Sequence, residues 1–308
     1  MKRGLSSEFA LVLALGVFWG LNWPTVKILL TEIAPWTLRA WGLSLGAVGL
    51  AGLAVAVRQS LIPAVQDIRP LIVTGLLSIL GFNLFSAFGQ LLTATSSAVI
   101  VGFTMPMWAA LLAVLFLGEK LSINRIMSLI VGMAGLALLV HDQWDAFITR
   151  PGGPLFMLCA ALSWAAGTVA LKAHRWSVEP VARAAWLVGV SAPFAILGAF
   201  LLEAPLKSAV PSPKALAVLG YHVIFPMIIC HAGWVMLVAR LPASVAAIGT
   251  LLIPVVGVAS AAAILGDDLS AIKLTALALV LLSVALTFAA PNPPRPETDE
   301  PHPSGGHR

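Results

Sequence analysis

The chain has 308 residues, of which 59% are hydrophobic and only 10% are charged. Soluble domains carry roughly 25% charged residues and the mean hydropathy here is +0.98, so the composition excludes a water-soluble monomer and indicates a membrane protein. The net charge of +5 does not indicate nucleic-acid binding, because the basic residues lie between apolar runs and do not cluster. Both cysteines lie in apolar segments, which argues against a disulfide framework or a cysteine metal site.

The apolar runs predict ten membrane spans, each near the roughly 20 residues that a tilted helix needs to cross a bilayer. They are expected at residues 8–30, 36–57, 70–92, 95–117, 123–140, 153–172, 181–202, 215–239, 243–265 and 270–289. The first run is too long for the core of a secretory signal, and its Trp19 and Lys27 recur as Trp164 and Lys172. Residues 290–308 are rich in proline and charge, which predicts a disordered cytoplasmic tail.

An internal repeat divides the chain. Ser96–Ser122 aligns without a gap on Ser244–Ser270, an offset of 148 positions that places Pro106 on Pro254. We predict a first five-helix repeat over residues 1–140, a linker over 141–153 and a second five-helix repeat over 154–289. Because five is odd, the two halves enter the membrane in opposite senses. The predicted fold is therefore an all-α integral membrane protein of ten transmembrane helices in two inverted repeats.

The distribution of Lys and Arg predicts the orientation of these spans, because cytoplasmic loops carry an excess of basic residues. With the N-terminus inside, twelve of the 18 Lys and Arg residues lie on the cytoplasmic side and six on the other. Both termini are therefore expected to be cytoplasmic.

Pro106 and Pro254 lie near the middle of spans 4 and 9. Proline donates no backbone hydrogen bond and crowds the carbonyl one turn earlier, which belongs to Gly102 in the first half and to Thr250 in the second. Lipid offers such a carbonyl no partner, so each kink must face protein or a wet cavity. Because the two prolines match in depth, we favour gating kinks over kinks that only pack.

Two matched helix faces predict a cavity. Tryptophan normally prefers the membrane interface, yet Trp19 and Trp164 lie near the centres of spans 1 and 6. A central tryptophan either packs between helices or lines a cavity, and the match across the repeat favours the cavity. The predicted faces consist of Trp19, Asn22 and Trp23 in span 1 and of Trp164 and Thr168 in span 6. Lys27 and Lys172, on the same faces, are better explained as side chains that snorkel to the interface.

Spans 3 and 8 contribute a second pair of matched faces. Asn83 and His231 align at the offset of 148, and a polar group in hydrocarbon is costly unless it meets water or a partner. We predict that both faces line the pathway, with His222 less central than His231. The residues are Ile79, Asn83 and Ser86 in span 3 and Met227, His231 and Trp234 in span 8, extended by Met105 and Trp108 of span 4.

Energy coupling is constrained by what the spans do not contain. All thirteen acidic residues lie in loops, tails or the last turn of a span, and there is no Walker A sequence. The chain is expected to need no cofactor and no metal. It is predicted either to carry substrate down its gradient or to couple weakly to protons through His231.

Short motifs now identify a resemblance. Trp19-Gly20-Leu21-Asn22 in span 1, Gly118-Glu119-Lys120-Leu121 after span 4 and Gly266-Asp267-Asp268-Leu269 after span 9 resemble the EamA family of the drug/metabolite transporter superfamily. Among its members the chain looks most like the YddG-type exporters of aromatic and other amino acids. The resemblance implies export of small metabolites across a bacterial inner membrane. The second half departs from the motif, because Ala165-Ala166-Gly167 follows Trp164, which predicts an asymmetric substrate site.

Together these observations predict a transporter that works by alternating access around an apolar and aromatic cavity. Such a lining suits a zwitterion with an apolar side chain, such as an aromatic or aliphatic amino acid. It would also accept amphipathic drugs, so multidrug export is the alternative within the class. A membrane sensor does not account for the repeat, and an enzyme would need carboxylates beside His222 and His231 that the spans lack. The partners expected are a small-molecule substrate and the bilayer, and a single chain is expected to suffice.

Overall fold

The structure is a computed structural model that describes the backbone of residues 2–119, 123–142, 144–149, 151–204, 210–238 and 243–289. Side chains are described for these residues except 2–12, 125, 145–147, 235–251 and 287–289. All regular structure within these ranges is helical. Six helices are long and apolar enough to cross a membrane, and four shorter helical stretches are apolar as well. The chain is therefore an all-helical, multi-pass membrane protein.

The helices of the first half are α1 Lys2–Leu29, α2 Pro35–Ala56, α3 Val65–Thr74, α4 Phe82–Leu92, α5 Thr95–Gly102, α6 Met105–Leu117 and α7 Ile123–Asp142. A first π-helix, Gly75–Gly81, joins α3 to α4 without a break. The second half contains α8 Trp144–Thr149, α9 Gly152–Ala173, α10 Pro180–Gly189, α11 Ala192–Leu202, α12 Pro213–His222, α13 His231–Val238, α14 Ala243–Leu265 and α15 Ala271–Ala289. A second π-helix, Val223–Cys230, joins α12 to α13.

Local sequence explains several helix ends. Proline fits the first helical turn, where its missing N–H has no intrahelical role, and α2, α10 and α12 each begin at one. Gly118 ends α6 and Gly266 follows the end of α14, with φ angles of 65° and 74°. Glycine adopts this left-handed conformation without steric cost and so ends helices well. These two stops account for the repeated glycine in the two motifs that follow spans 4 and 9.

The predicted linker at residues 141–153 contains regular structure. Helix α7 continues to Asp142, α8 occupies Trp144–Thr149 and α9 begins at Gly152. The predicted tail at 290–308 lies outside the described residues. Helix α1 begins six residues before the predicted start of span 1.

Helices of the two halves are paired throughout the bundle. Helix α1 packs on α14, α7 on α15, and α9 on α4, α6 and the first π-helix. Helix α2 lies against α10 and α11. Its glycines Gly42, Gly46 and Gly49 form a stripe of small residues that faces the end of α12 and the second π-helix, where they approach His222, Met227 and Ile228. The stripe therefore serves close helix packing, which is the usual role of such residues between membrane helices.

Reciprocal capping holds α2 to the stretch formed by α10 and α11. At the start of α2, the amides of Trp36 and Thr37 donate to the Glu203 carboxylate at 2.8 and 2.7 Å. At the start of α10, the amides of Val181 and Ala182 donate to Gln59 Oε1 at 2.9 and 3.0 Å. Glu203 lies just beyond the end of α11, and Gln59 lies just beyond the end of α2. The two stretches therefore run antiparallel, with one cap at each end.

Candidate functional site

The second π-helix leads into an aromatic cluster that contains three of the predicted cavity residues. The Trp19 ring lies 5.7 Å from the His231 ring and 6.0 Å from the Trp234 ring, both edge to face. Residues of α1 and α13, which belong to two of the predicted faces, thus meet in this cluster. The Nδ1 atom of His231 lies 2.8 Å from the carbonyl oxygen of Pro226 inside the π-helix. This imidazole provides a partner for a carbonyl that the wider helical turn leaves available.

A second aromatic group surrounds the end of the first π-helix. Phe82 lies between Trp23 and Trp164, with ring centroids 6.5 and 5.0 Å away, and Trp23 also approaches Phe103 at 6.1 Å. The two tryptophans of spans 1 and 6 are thus linked through a phenylalanine that the sequence argument did not select. Phe82 directly precedes Asn83 in the sequence, and this position next to a predicted polar site could have identified it as a candidate residue.

Asn83 occupies the position in the first half that His231 occupies in the second. Its Nδ2 donates to the carbonyl of Ile79 at 2.8 Å, inside the first π-helix. The hydroxyl of Ser86 donates at 3.1 Å to the carbonyl of Asn83. Ile79 and Ser86 are buried, as is Met227, the counterpart of Ile79. The matched polar residues therefore both stabilise widened turns.

Carbonyls of the first π-helix are satisfied by the second half of the chain. Ser163 of α9 donates to the carbonyl of Leu77 at 2.7 Å, and Ser191, between α10 and α11, donates to that of Gly75 at 3.0 Å. Wide turns of this kind recur at functional sites of helical proteins. Their presence at equivalent positions of both halves was not foreseen, because an apolar run has the same hydropathy in either helical form.

Span 4 is broken where the proline argument placed a kink. Helix α5 ends at Gly102 and α6 begins at Met105, so Pro106 lies in the first turn of a new helix. The hydroxyl of Thr104 donates to the carbonyl of Val101 at 2.6 Å and accepts the Trp108 indole N–H at 3.1 Å. Trp108 is thus held at the break, and Met105 packs against the core cluster around Trp23.

Span 9 differs, because α14 continues through Pro254. The gating kink predicted at Pro254 stays a prediction, and the side chain of Thr250 lies outside the described residues. Thr168 is exposed on α9 and its hydroxyl donates to the carbonyl of Trp164 at 2.9 Å, within its own helix. The structure thus does not bring Thr168 to either aromatic group through a hydrogen bond.

A buried polar cluster lies between the halves and includes residues that the sequence argument ranked low. His222 is 1% exposed, and its Nδ1 lies 2.7 Å from Oδ1 of Asn22. Arg39 is 2% exposed, and its Nε donates to the carbonyl of Asn83 at 2.9 Å. His222 is the more buried of the two span histidines, and which of them lines the pathway stays a prediction. Arg39 was counted only for topology, although a lone arginine four residues inside an apolar run was a usable signal.

Charged residues pair at two matched places. Lys172 at the end of α9 forms an ion pair with Glu119, which follows α6. Lys27 at the end of α1 donates to the carbonyls of Gln90 and Thr93, and the charge of Asp267 acts on it. Lys27 and Glu119 are the repeat counterparts of Lys172 and Asp267. The two lysines therefore have specific partners, in place of the snorkelling that the sequence argument favoured.

The described residues can also be assessed for a metal site and for an apolar groove. No group of three His, Cys, Asp or Glu side chains within them is placed to hold a metal ion. An apolar groove lies between α5, α7 and α9, where Val101, Leu136 and Leu158 line it. None of the predicted cavity residues contributes to this groove.

Comparisons with known proteins agree with this architecture. The profile of the EamA-like transporter family matches residues 6–141 and 151–289. The transporter YvbV of Bacillus subtilis, itself uncharacterized, is 28% identical and the match covers 93% of each chain. A probable amino-acid metabolite efflux pump of Salmonella typhimurium is 28% identical over 88% of this chain and 91% of its own length.

A solved crystal structure superposes with a TM-score of 0.65 at 20% identity, covering 91% of this chain and 96% of its own. At that identity the likeness concerns the fold alone. The two family matches together span nearly all the described helices. The chain therefore belongs to the EamA-like transporter family.

Proposed function

We propose that this protein is a secondary transporter built from two inverted five-helix repeats with ten membrane spans. The family profile matches each half separately, and the two π-helices begin 148 positions apart, at Gly75 and Val223. The reciprocal caps on α2 and α10 fit halves related by a two-fold axis in the membrane plane. An antiparallel pairing of equivalent helices is what opposite insertion requires.

The substrate class follows from the two aromatic groups. The observation that carries the proposal is the convergence of Trp19, His231 and Trp234 at one π-helix and of Trp23 and Trp164 at the other. Rings arranged in this way receive apolar and aromatic side chains by stacking. The relative named as a probable amino-acid metabolite efflux pump points the same way. The protein exports aromatic and other apolar amino acids.

Alternating access requires that each end of the pathway can close. The Lys172–Glu119 pair ties the ends of α6 and α9, and Lys27 ties α1 to Gln90 and Thr93 at the opposite, matched place. The break between Gly102 and Met105 gives span 4 a hinge between these ends. Opening one tie while the other holds would expose the central residues to one side at a time.

Counterflow tests this function directly. The purified protein is reconstituted into liposomes loaded with unlabelled amino acid, and uptake of labelled phenylalanine, leucine and alanine is followed. Accumulation above that of empty liposomes is the expected result. A panel that includes ethidium separates amino acid export from multidrug export, because accumulation of ethidium without any amino acid would contradict the proposed substrate class.

Energy coupling is tested in the same vesicles. Flux is expected without an imposed proton gradient, because the acidic residues of the described spans lie at helix ends, as Asp67 and Asp142 do. If flux requires a proton gradient and His231→Gln removes that requirement, the protein is a proton-coupled transporter and His231 is the coupling residue.

Both termini are proposed to be cytoplasmic. Single cysteines at Asp145 and Arg175, in a background where Cys159 and Cys230 are replaced by serine, should react with an impermeant thiol reagent from opposite sides of the membrane. Reaction of both from one side would contradict the inverted repeat.

A further inference from the structure

Arg39 is a buried cation, and no carboxylate within the described residues forms an ion pair with it. The residue is 2% exposed, Nε donates to the Asn83 carbonyl, and the buried Nη1 atom has no hydrogen-bond partner. Arginine stays charged in proteins. A buried charge left unpaired is strongly unfavourable. Within the described residues, the carboxylates that form ion pairs do so elsewhere, with Lys172 and His174.

The groups around Arg39 are polar but neutral, or basic. The His222 side chain of α12 is close enough to Arg39 for the two groups to interact electrostatically, and its ring contacts the Asn22 side chain of α1. Gly42, one turn beyond Arg39 on α2, would place a β-carbon 3.1 Å from Nε2 of His222, so the same face of α2 is turned toward this cluster. The carbonyl of Asn83 accepts hydrogen bonds from both Arg39 and Ser86. Four helices from both halves thus enclose a positive charge without neutralising it.

We propose that Arg39 binds the carboxylate of the transported molecule, which restricts the substrate to compounds that carry one. The inference rests on the proposed transport function. A guanidinium offers planar, paired N–H donors that match a carboxylate, which a neutral amide or an amine does not. The free Nη1 has the donors for this contact while Nε remains bonded to Asn83.

The carboxylate site proposed at Arg39 has no counterpart at the aligned position of the second half. At the offset that aligns Pro35 of α2 with Pro180 of α10, Arg39 falls on Ala184, which is buried and apolar. The second half therefore contributes His222 to the cluster and no equivalent cation. One carboxylate per chain follows, although the helical framework is duplicated.

The test compares ligands that differ only at the carboxylate. Phenylalanine, phenylalaninamide, phenethylamine and phenylpropionate are added as competitors of phenylalanine counterflow, and their stabilisation of the purified full-length protein against heat is measured in parallel. In the wild type, loss of the carboxylate should weaken competition by about 10-fold to 100-fold, as expected for a hydrogen-bonded charge pair. Phenylpropionate should still stabilise the protein.

Arg39→Gln should reduce the difference between phenylalanine and phenylalaninamide to about two-fold, and Arg39→Lys should retain part of it because only the charge remains. Arg58→Gln is the matched control: this arginine is exposed just beyond the opposite end of the same helix, and its removal should leave the discrimination intact. If Arg39→Gln does not fold, the same ligand series on the wild type and on Arg39→Lys still tests whether Arg39 binds the carboxylate.

The outcomes of these experiments distinguish the absence of a carboxylate site at Arg39 from the absence of amino acid transport. Equal competition by phenylalanine and phenylalaninamide in the wild type, or undiminished discrimination in Arg39→Gln, would overturn the carboxylate site while transport stands. Arg39-dependent stabilisation by carboxylates without flux of any amino acid would support the site and contradict the transport of amino acids. Absence of both stabilisation and flux with carboxylates would overturn both.

Discussion

The two halves of the protein widen the same span at the same position but stabilise it differently. The first π-helix is satisfied by Asn83 on the carbonyl of Ile79 and also from outside, by hydroxyls of Ser163 and Ser191 in the second half. The second is satisfied from within the helix that follows it, by His231 on the carbonyl of Pro226. The backbone therefore opens at equivalent positions of both halves, and different side chains satisfy its carbonyl groups. One π-helix depends on contact between the halves, and the other is more nearly self-contained.

Spans 4 and 9 show the same divergence. Both contain a proline at the matched depth, yet span 4 ends one helix at Gly102 and begins another at Met105, while α14 continues. The difference lies in the residues before the proline. Thr104 bonds the carbonyl of Val101 and holds Trp108, so the break has its own hydrogen bonds. Under the proposed alternating access, this break would give the two halves unequal roles in gating.

The largest expected effect concerns the dependence of the first π-helix on the second half. A β-carbon at Gly167 of α9 would lie 2.6 Å from the Ser78 amide nitrogen and 2.7 Å from its Cα. Backbone cannot rotate away, so Gly167→Ala should force α9 from the π-helix and cost about 3 kcal/mol of stability. Thermal unfolding in detergent measures this loss.

Gly52→Ala is the control for that experiment, because nothing lies within 4 Å of a β-carbon at this position of α2. It should leave the melting temperature unchanged or raise it slightly, since alanine favours helix over glycine by about 0.5–1 kcal/mol. Equal destabilisation by the two variants would show that the close approach of α9 to Ser78 is not what supports the π-helix.

The reciprocal caps should be unequal. Glu203 accepts the two amides at the start of α2 and also the Thr37 hydroxyl at 2.9 Å, and its charge favours a helix N-terminus. Gln59 accepts two amides and has no charge. We expect Glu203→Ala to cost about 2 kcal/mol and Gln59→Ala about 1 kcal/mol, as seen in melting temperature. The reverse order would mean that the neutral cap holds the halves together.

The tryptophans of the two halves should differ in a smaller way. Trp19 has two ring neighbours and Trp164 has one, Phe82. Trp164→Ala should therefore express near normally and melt less early than Trp19→Ala. It should lose phenylalanine transport several-fold more than alanine transport, because ring stacking contributes about 0.5–1.5 kcal/mol. Equal loss of phenylalanine and alanine transport, together with a lowered melting temperature, would mean that Trp164 only packs between helices.

The smallest effect concerns matched ties at the two ends. Glu32 accepts the amide and hydroxyl of Ser212 at 2.7 and 2.8 Å, whereas Glu179 accepts the amide of Ser60 at 3.1 Å. The hydrogen bonds from the Ser212 amide and hydroxyl lower the pKa of Glu32 below its ordinary value of 4.5. Because the pKa of Glu32 is lower in the folded than in the unfolded chain, this tie contributes stability above about pH 4.5. That stability is lost as the pH falls through the folded-state pKa.

Melting curves across pH test this tie. Wild type and Glu32→Gln should differ above about pH 4.5 and converge at lower pH, where the glutamate is protonated in both folded and unfolded chains. The shift should be small, because Glu32 is exposed and water screens its charge. A difference that persists unchanged at pH 2 would mean that the carboxylate charge plays no part.

Much of the helical framework followed from the sequence. Hydrocarbon leaves unpaired backbone groups no partner, so long apolar runs must be helical, and the repeat of Ser96–Ser122 identified which stretches correspond. Family membership was also predictable, because the motifs and their order are properties of the chain itself.

Other features depended on contacts between distant residues. Hydropathy is the same for an α-helix and a π-helix, so only packing of Ser163, Gly167 and Ser191 against the third span shows where it widens. The position of Arg39 inside an apolar run distinguished it in the sequence but did not show which groups its side chain contacts. Its burial, its bond to Asn83 and its free Nη1 come from helices of both halves meeting. The sequence by itself determined the membrane spans and the repeat, because these follow from the solvent and from covalent order. The tertiary structure alone decided which polar groups of the described residues are satisfied and which have no hydrogen-bond partner, because hydrogen bonding depends on distances that the order of residues does not specify.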